Sequence, residues 1–141
     1  MAEDLLSVST VVEATPAAVW RVLTDGRSAW WPGMLFEPEV GACLTETWEE
    51  DGETLRATGT VVGSDALRRL DFVWSEPHWH GTLAVSIRLA SVGSGTEVTV
   101  IEQGFTSIDA PSTLLAEHVA GWRFHLDRLV QALRNPNRIP D

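Results

Sequence analysis

The sequence predicts an α+β domain: a curved antiparallel sheet of about six strands around one long C-terminal helix, with two short helices after the first strand. Three observations carry this reading. The chain ends in an apolar stripe, Leu115, Val119, Trp122, Leu126, Leu129 and Leu133, spaced by alternating fours and threes, the period of a helix with one buried face. From about residue 39 to residue 105 the pattern is a run of strand-like segments separated by turn signals. Strands and helices are segregated along the chain rather than alternating, which argues against the βαβ units of a nucleotide-binding parallel sheet.

The elements follow in order. Leu6, Val8, Thr10 and Val12 alternate with Leu5, Ser7, Ser9 and Val11 as a first strand whose faces are not cleanly separated. Thr15 is a good N-cap and Pro16 a good first helical residue, because proline lacks the donor that this position leaves unpaired. Val19, Trp20, Val22 and Leu23 form the apolar side of that helix, and Asp25-Gly26 ends it. Residues 27–32 read as a second short helix or turn, placing Trp30 and Trp31 where Pro32 forces the chain out of helical geometry. Ala42, Leu44, Glu46 and Trp48 then share one strand face, and Glu50-Asp51-Gly52-Glu53 signals a hairpin into a strand from Leu55 to Val62. A turn is expected at Gly63-Ser64-Asp65. Leu70, Phe72 and Trp74 alternate cleanly, a loop from Glu76 to Gly81 holds two histidines, and Leu83, Val85, Ile87 and Leu89 alternate again. Gly93-Ser94-Gly95 connects to a strand in which Val98, Val100 and Glu102 share a face, closed by Gly104-Phe105. Docking the final helix, read from Thr113 to Leu133, buries the stripe for an upper-bound gain on the order of 10 kcal/mol before chain entropy is charged.

A chain of 141 residues suits a single domain over 1–141 with its own core. No apolar run approaches the roughly 18 residues of a membrane span, and the acidic start MAEDLLSVST lacks a signal-peptide pattern, so a soluble cytoplasmic protein is expected. The formal charge of -10 and the scattered arginines disfavour nucleic acid and anionic membrane surfaces as partners. Absence of Lys and Tyr removes Schiff-base chemistry, a phosphate-loop lysine and a tyrosine acid. The lone Cys43 allows neither an intrachain disulfide nor a CxxC centre.

The succession ATPAAVWRVLTD, AWWPG, EVGACLTETWEEDG, GTVV, LRRLDFVWSE, GSGTEVTVIEQGF and HVAGWRFHLDRLVQAL resembles the SRPBCC, or START-like, superfamily, with the helix-grip fold of the birch-pollen allergen. Gly121-Trp122 in the last helix and the segment Gly95 to Phe105 look most like the branch of homologues of the activator of the heat-shock-protein-90 ATPase. The resemblance spans essentially the whole chain. It implies a cavity between sheet and helix and leaves the contents of that cavity open, because the superfamily includes lipid and hormone carriers, cyclases, aromatases and co-chaperone domains.

Several residues stand out as site candidates. Trp48 and Trp74 have inward strand parity, Trp122 lies on the helical stripe, and Trp31 sits at the turn that would close one mouth of the cleft; Phe72 shares the parity of Trp74. Glu46 and Glu102 point to the same concave face, where a carboxylate needs a partner or shifts its pKa upward. His118, one turn before Trp122, suits orienting a ligand oxygen or exchanging a proton near neutral pH, and His125 lies near the edge of the same helix. His78 and His80 form an HxH pair without a third ligand in evident spacing, so no metal site is predicted, and no cofactor motif is visible. The expected activity is binding of a small apolar, aromatic or lipid-like ligand by Trp31, Glu46, Trp48, Phe72, Trp74, Glu102, His118 and Trp122. The alternatives are a cyclase, dehydratase or hydrolase using a pocket carboxylate or His118, and a chaperone-associated interaction module. Exposed residues on an edge strand would also allow a homodimer.

Overall fold

Leu6, Val8 and Val12 turn inward while Leu5 and Val11 face solvent, so the first strand, β1 (Leu5–Val12), has a sharper inner face than its sequence suggested. The structure, a computed structural model, describes residues 4–134; the remaining ends of the expected 1–141 domain lie outside the described residues. The Thr15 hydroxyl accepts a hydrogen bond from the Ala18 N–H and Pro16 occupies the first turn of α1 (Pro16–Leu23), which buries Val19, Val22 and Leu23. The second expected helix is only a single 3-10 turn, Arg27–Ala29.

The sheet has one strand more than expected. Met34–Leu35 forms β2, too short to show a period in sequence, and pairs with β3 (Cys43–Glu50). The remaining strands are β4 (Glu53–Asp65), β5 (Arg69–Ser75), β6 (Leu83–Val92) and β7 (Gly95–Gln103), and every pairing is antiparallel. Spatial order is β1-β7-β6-β5-β4-β3-β2, so β1 crosses over to pair with the last strand while all other neighbours are consecutive. Asp51 and Gly52, both at positive φ, make the expected β3–β4 hairpin.

One turn is misplaced by sequence. Gly63, Ser64 and Asp65 continue β4, and the reversal falls at Ala66 to Arg68, with Leu67 at φ 72° and the Arg68 N–H donating to the Asp65 carbonyl at 2.9 Å. A bulge between Val61 and Gly63 shifts the register against β5, and the Asp71 carboxylate lies across Gly63, where a Cβ would stand 2.6 Å from it and force that side chain to move.

The long helix α2 (Ser112–Arg134) covers the concave face unevenly. From its midpoint at Trp122 onward it buries Trp122, Leu126, Leu129 and Ala132, and the helix packs beside β1 and α1. In the first half Leu115 and Val119 are only partly buried. The grip is tight at one end and loose at the other, and the loose end holds the cavity.

Candidate functional site

Glu102 ends the inward row Val98, Val100, Glu102 on β7, and nothing of it reaches solvent, its exposure being 0%. A bare carboxylate there would cost far more than a domain can spare, so its oxygens must be filled. They are filled by three donors from three places. Trp74 Nε1, reaching across β6 from β5, donates to Oε2 at 2.8 Å. Trp122 Nε1 on α2 donates to Oε1 at 3.0 Å, and His118 Nδ1, one helical turn earlier, meets the same oxygen at 2.7 Å. The carboxylate therefore pins the helix to the sheet and orients two indoles and one imidazole. Burial pulls the His118 pKa down, but the hydrogen bond and charge of Glu102, with the charges of Glu76 and Glu46, outweigh it and leave the group raised. With Nδ1 engaged, Nε2 is the nitrogen His118 has left for the cavity it lines.

Glu46 occupies the equivalent inward parity on β3, paired with Ala57 of β4 and Met34 of β2. Trp31 reaches it because the chain after the 3-10 turn is held down. Arg27 donates from Nε to the Met34 carbonyl at 2.7 Å and from Nη1 to the Phe36 carbonyl at 2.9 Å, with its guanidinium 5.0 Å from the Phe36 ring centre. Gly33 presses so close to β3 that a Cβ would meet the Thr47 carbonyl oxygen at 2.4 Å, which demands glycine. Trp31 Nε1 then donates to Glu46 Oε2 at 2.9 Å. Burial pushes the Glu46 carboxyl up to about 7; the Trp31 hydrogen bond and His118 oppose the rise, and the charges of Glu76 and Glu102 add to it.

Trp31, Trp74 and Trp122 pack on one another edge to face or tilted, with centroids 5.3 to 6.1 Å apart, and form one continuous wall. His125 stacks on Trp31 at 3.9 Å. Its Nδ1 is buried without a partner, and burial followed by the charge of Arg128 lowers its pKa to about 4, so the ring is neutral at physiological pH. With this wall, Trp48 and Trp79 line a partly open cavity of about 390 Å³.

Six of the eight expected residues line this cavity: Trp31, Glu46, Trp48, Trp74, His118 and Trp122. Two are placed differently. Phe72 has the right parity but is buried in the core, its ring edge-on to Trp74 at 5.3 Å, because the strand is covered at that level. Glu102 lies behind the wall and acts on the site by positioning Trp74, His118 and Trp122. The sequence reading overlooked Glu76, although it continues the inward parity of Trp74 by one step, and Trp79, which sits in an irregular loop with no period to reveal it. Glu117 and Phe124, flanking the stripe next to His118 and His125, also line the opening. His78 and His80 are exposed on either side of Trp79, and among the described residues no group of three or more His, Cys, Asp or Glu side chains is arranged to hold a metal ion.

A curved antiparallel sheet gripping one long helix, with a cavity at the loose end, defines a START-like helix-grip protein. Residues 13–134 match the family described as Activator of Hsp90 ATPase homolog 1-like protein, and the chain belongs to that family. Among solved structures it is similar to DynU16, a protein in the dynemicin biosynthetic locus, at TM-score 0.78 and 25% identity over 94% of this chain. The match spans only 48% of DynU16, so this chain corresponds to about half of that protein. CalU16 from Micromonospora echinospora has the same fold, at TM-score 0.72 and 21% identity, with 92% of this chain and 75% of that one covered. Protein MLL2253 from Mesorhizobium loti does too, at TM-score 0.75 and 22% identity over 93% and 97% of the two chains. No functionally curated protein matches the sequence. Among the described residues no helix is long and apolar enough to cross a membrane.

Proposed function

We propose that the protein binds a small, largely apolar molecule with an aromatic or lipid-like body in the cavity beneath the first half of α2. The observation that carries this reading is a space of about 390 Å³ walled by five indoles, Trp31, Trp48, Trp74, Trp79 and Trp122. Sites for small ligands are concave and mostly apolar, with a few placed polar groups and volumes from roughly 300 Å³ upward. Here Glu46 and the free side of His118 are those groups, while Glu102 stiffens the wall behind them. The place of the similar DynU16 in a biosynthetic locus supports a small-molecule role. Calorimetry and tryptophan quenching with a panel of aromatic and acyl compounds test it: saturable one-site binding weakened by Trp48→Ala is expected, and a panel with no binder would overturn it.

A second reading rests on Glu46. A carboxyl near 7, at the cavity wall, is placed for general acid or base work, with His118 on the same lining. Turnover of a bound compound whose pH dependence disappears in Glu46→Gln would favour catalysis over carriage.

A further inference from the structure

The walls of the cavity carry more acidic than basic groups, and the one basic group whose pKa is raised there, His118, is already paired with Glu102. Glu46 comes from β3, Glu76 from the loop after β5 and Glu117 from α2, and all three line the same space as the five indoles. No arginine lines it among the described residues, and the chain contains no lysine. The nearby basic groups are committed elsewhere. Arg27 is held on the carbonyls of Met34 and Phe36, and Arg128 lies over the outer ring of Phe124 at 5.7 Å with its Nε toward the Trp30 carbonyl. His118 has given Nδ1 to Glu102, and His125, stacked on Trp31, is neutral. Glu46 has a neutral indole N–H as its donor, which satisfies an oxygen without balancing a charge.

Resting on the aromatic-binding reading above, we infer that the ligand is an organic cation: a protonated or quaternary amine joined to an aromatic or apolar body, its charge held beside Glu46 and against the indole faces. Indole is the best ring for this contact, because its face is the negative end of the aromatic quadrupole, and a desolvated cation gains most from it. A carboxylate or phosphate ligand would instead meet three carboxyl groups, each repelling it when ionised. A neutral ligand without a hydrogen-bond donor would displace water from Glu46 and supply nothing in return, and one with a donor would leave its charge unbalanced. The raised Glu46 carboxyl and the raised Glu76 carboxyl, both lifted first by burial, are the condition a bound cation would relieve. Binding near pH 7 should therefore release a proton from Glu46, the other charged or titratable groups facing it being Glu76, Glu102 and His118.

Titration calorimetry of the whole chain at pH 8 with three probes tests this: phenyltrimethylammonium, its neutral isostere tert-butylbenzene, and the anion benzoate. Phenyltrimethylammonium is expected to bind at least about tenfold more tightly than tert-butylbenzene, with benzoate the weakest. Glu46→Gln should shrink the ratio between the first two, and the exposed Glu117→Gln should shrink it less. At pH 7, heats measured in buffers of different ionisation enthalpy should show proton release for the ammonium probe alone. Equal or tighter binding of tert-butylbenzene would overturn the cation inference and leave the aromatic-binding reading standing. Failure of all three probes to bind would overturn both.

Discussion

Glu102 and Glu46 are the same residue type at the same inward parity of one concave sheet, yet they do opposite things. Glu102 sits on β7, one strand in from the β1 edge of the sheet, and accepts three hydrogen bonds, from Trp74, Trp122 and His118. Glu46 sits on β3 near the far edge, accepts one from Trp31 and borders open space. The first has exchanged water for protein donors and holds the fold together. The second has lost water without full replacement, and its charge is left for a ligand to answer. What separates them is the helix: α2 brings Trp122 and His118 to Glu102, whereas the donor to Glu46 comes from Trp31.

The sharpest way to break that comparison is to neutralise each carboxylate in turn. Glu102→Ala leaves two buried indole N–H groups and an imidazole without an acceptor, each worth about 1–3 kcal/mol, so urea denaturation should show a loss of at least about 3 kcal/mol. Glu46→Gln should act in the other direction at alkaline pH. The folded carboxyl near 7 lies above its ordinary 4.5, so the folded state holds the proton more tightly, and stability present below pH 4.5 is lost as pH rises through 7. The variant escapes that loss and should be more stable than the parent at pH 8 by up to about 3 kcal/mol, with the gain vanishing below pH 4.5. Equal and like-signed effects from the two variants would mean that the two carboxylates are not different in kind.

His118 sharpens the contrast from the Glu102 side. Its pKa is raised above the ordinary 6.5, so its ionic contribution is complete below pH 6.5 and is lost as pH rises through the folded value. The stability gap between parent and His118→Gln, measured by denaturation from pH 6 to 9, should narrow as pH rises.

The smallest expected effect lies at Gly121, on the helix face over the cavity, where a Cβ would meet nothing within 4 Å. Gly121→Ala should therefore raise stability by about 0.5–1 kcal/mol through helix propensity, while Gly121→Phe should fill the space and abolish ligand binding. A destabilising alanine would show that the cavity is smaller than its walls imply.

Much of this arrangement is legible in residue order. The alternating rows Leu83 to Leu89 and Leu70 to Trp74 needed only the period of two, and Thr15-Pro16 marks the start of α1 because capping is local chemistry. Parity also places Glu46 and Glu102 on the concave face. Parity is silent on depth, however. Phe72, one step from Trp74, is core and not cavity, and Gly63-Ser64-Asp65 has the composition of a turn but is drawn into β4 by the bulge and the Asp71 side chain lying over it. Trp79 could not be found at all, since an irregular loop has no period.

The sequence alone determined which side chains of the regular strands face inward, where most of the elements lie, and that a long amphipathic helix must cover a sheet; these depend on the chain's local periods and caps. Only the tertiary structure decided which inward carboxylate is enclosed and which borders the cavity. That difference arises from contacts between residues far apart in the chain: Glu102 with Trp74 and His118, Trp31 with Glu46. Whether a carboxylate becomes a rivet or a recognition group depends on how many donors the folded chain brings to it, a number that no spacing along the chain encodes.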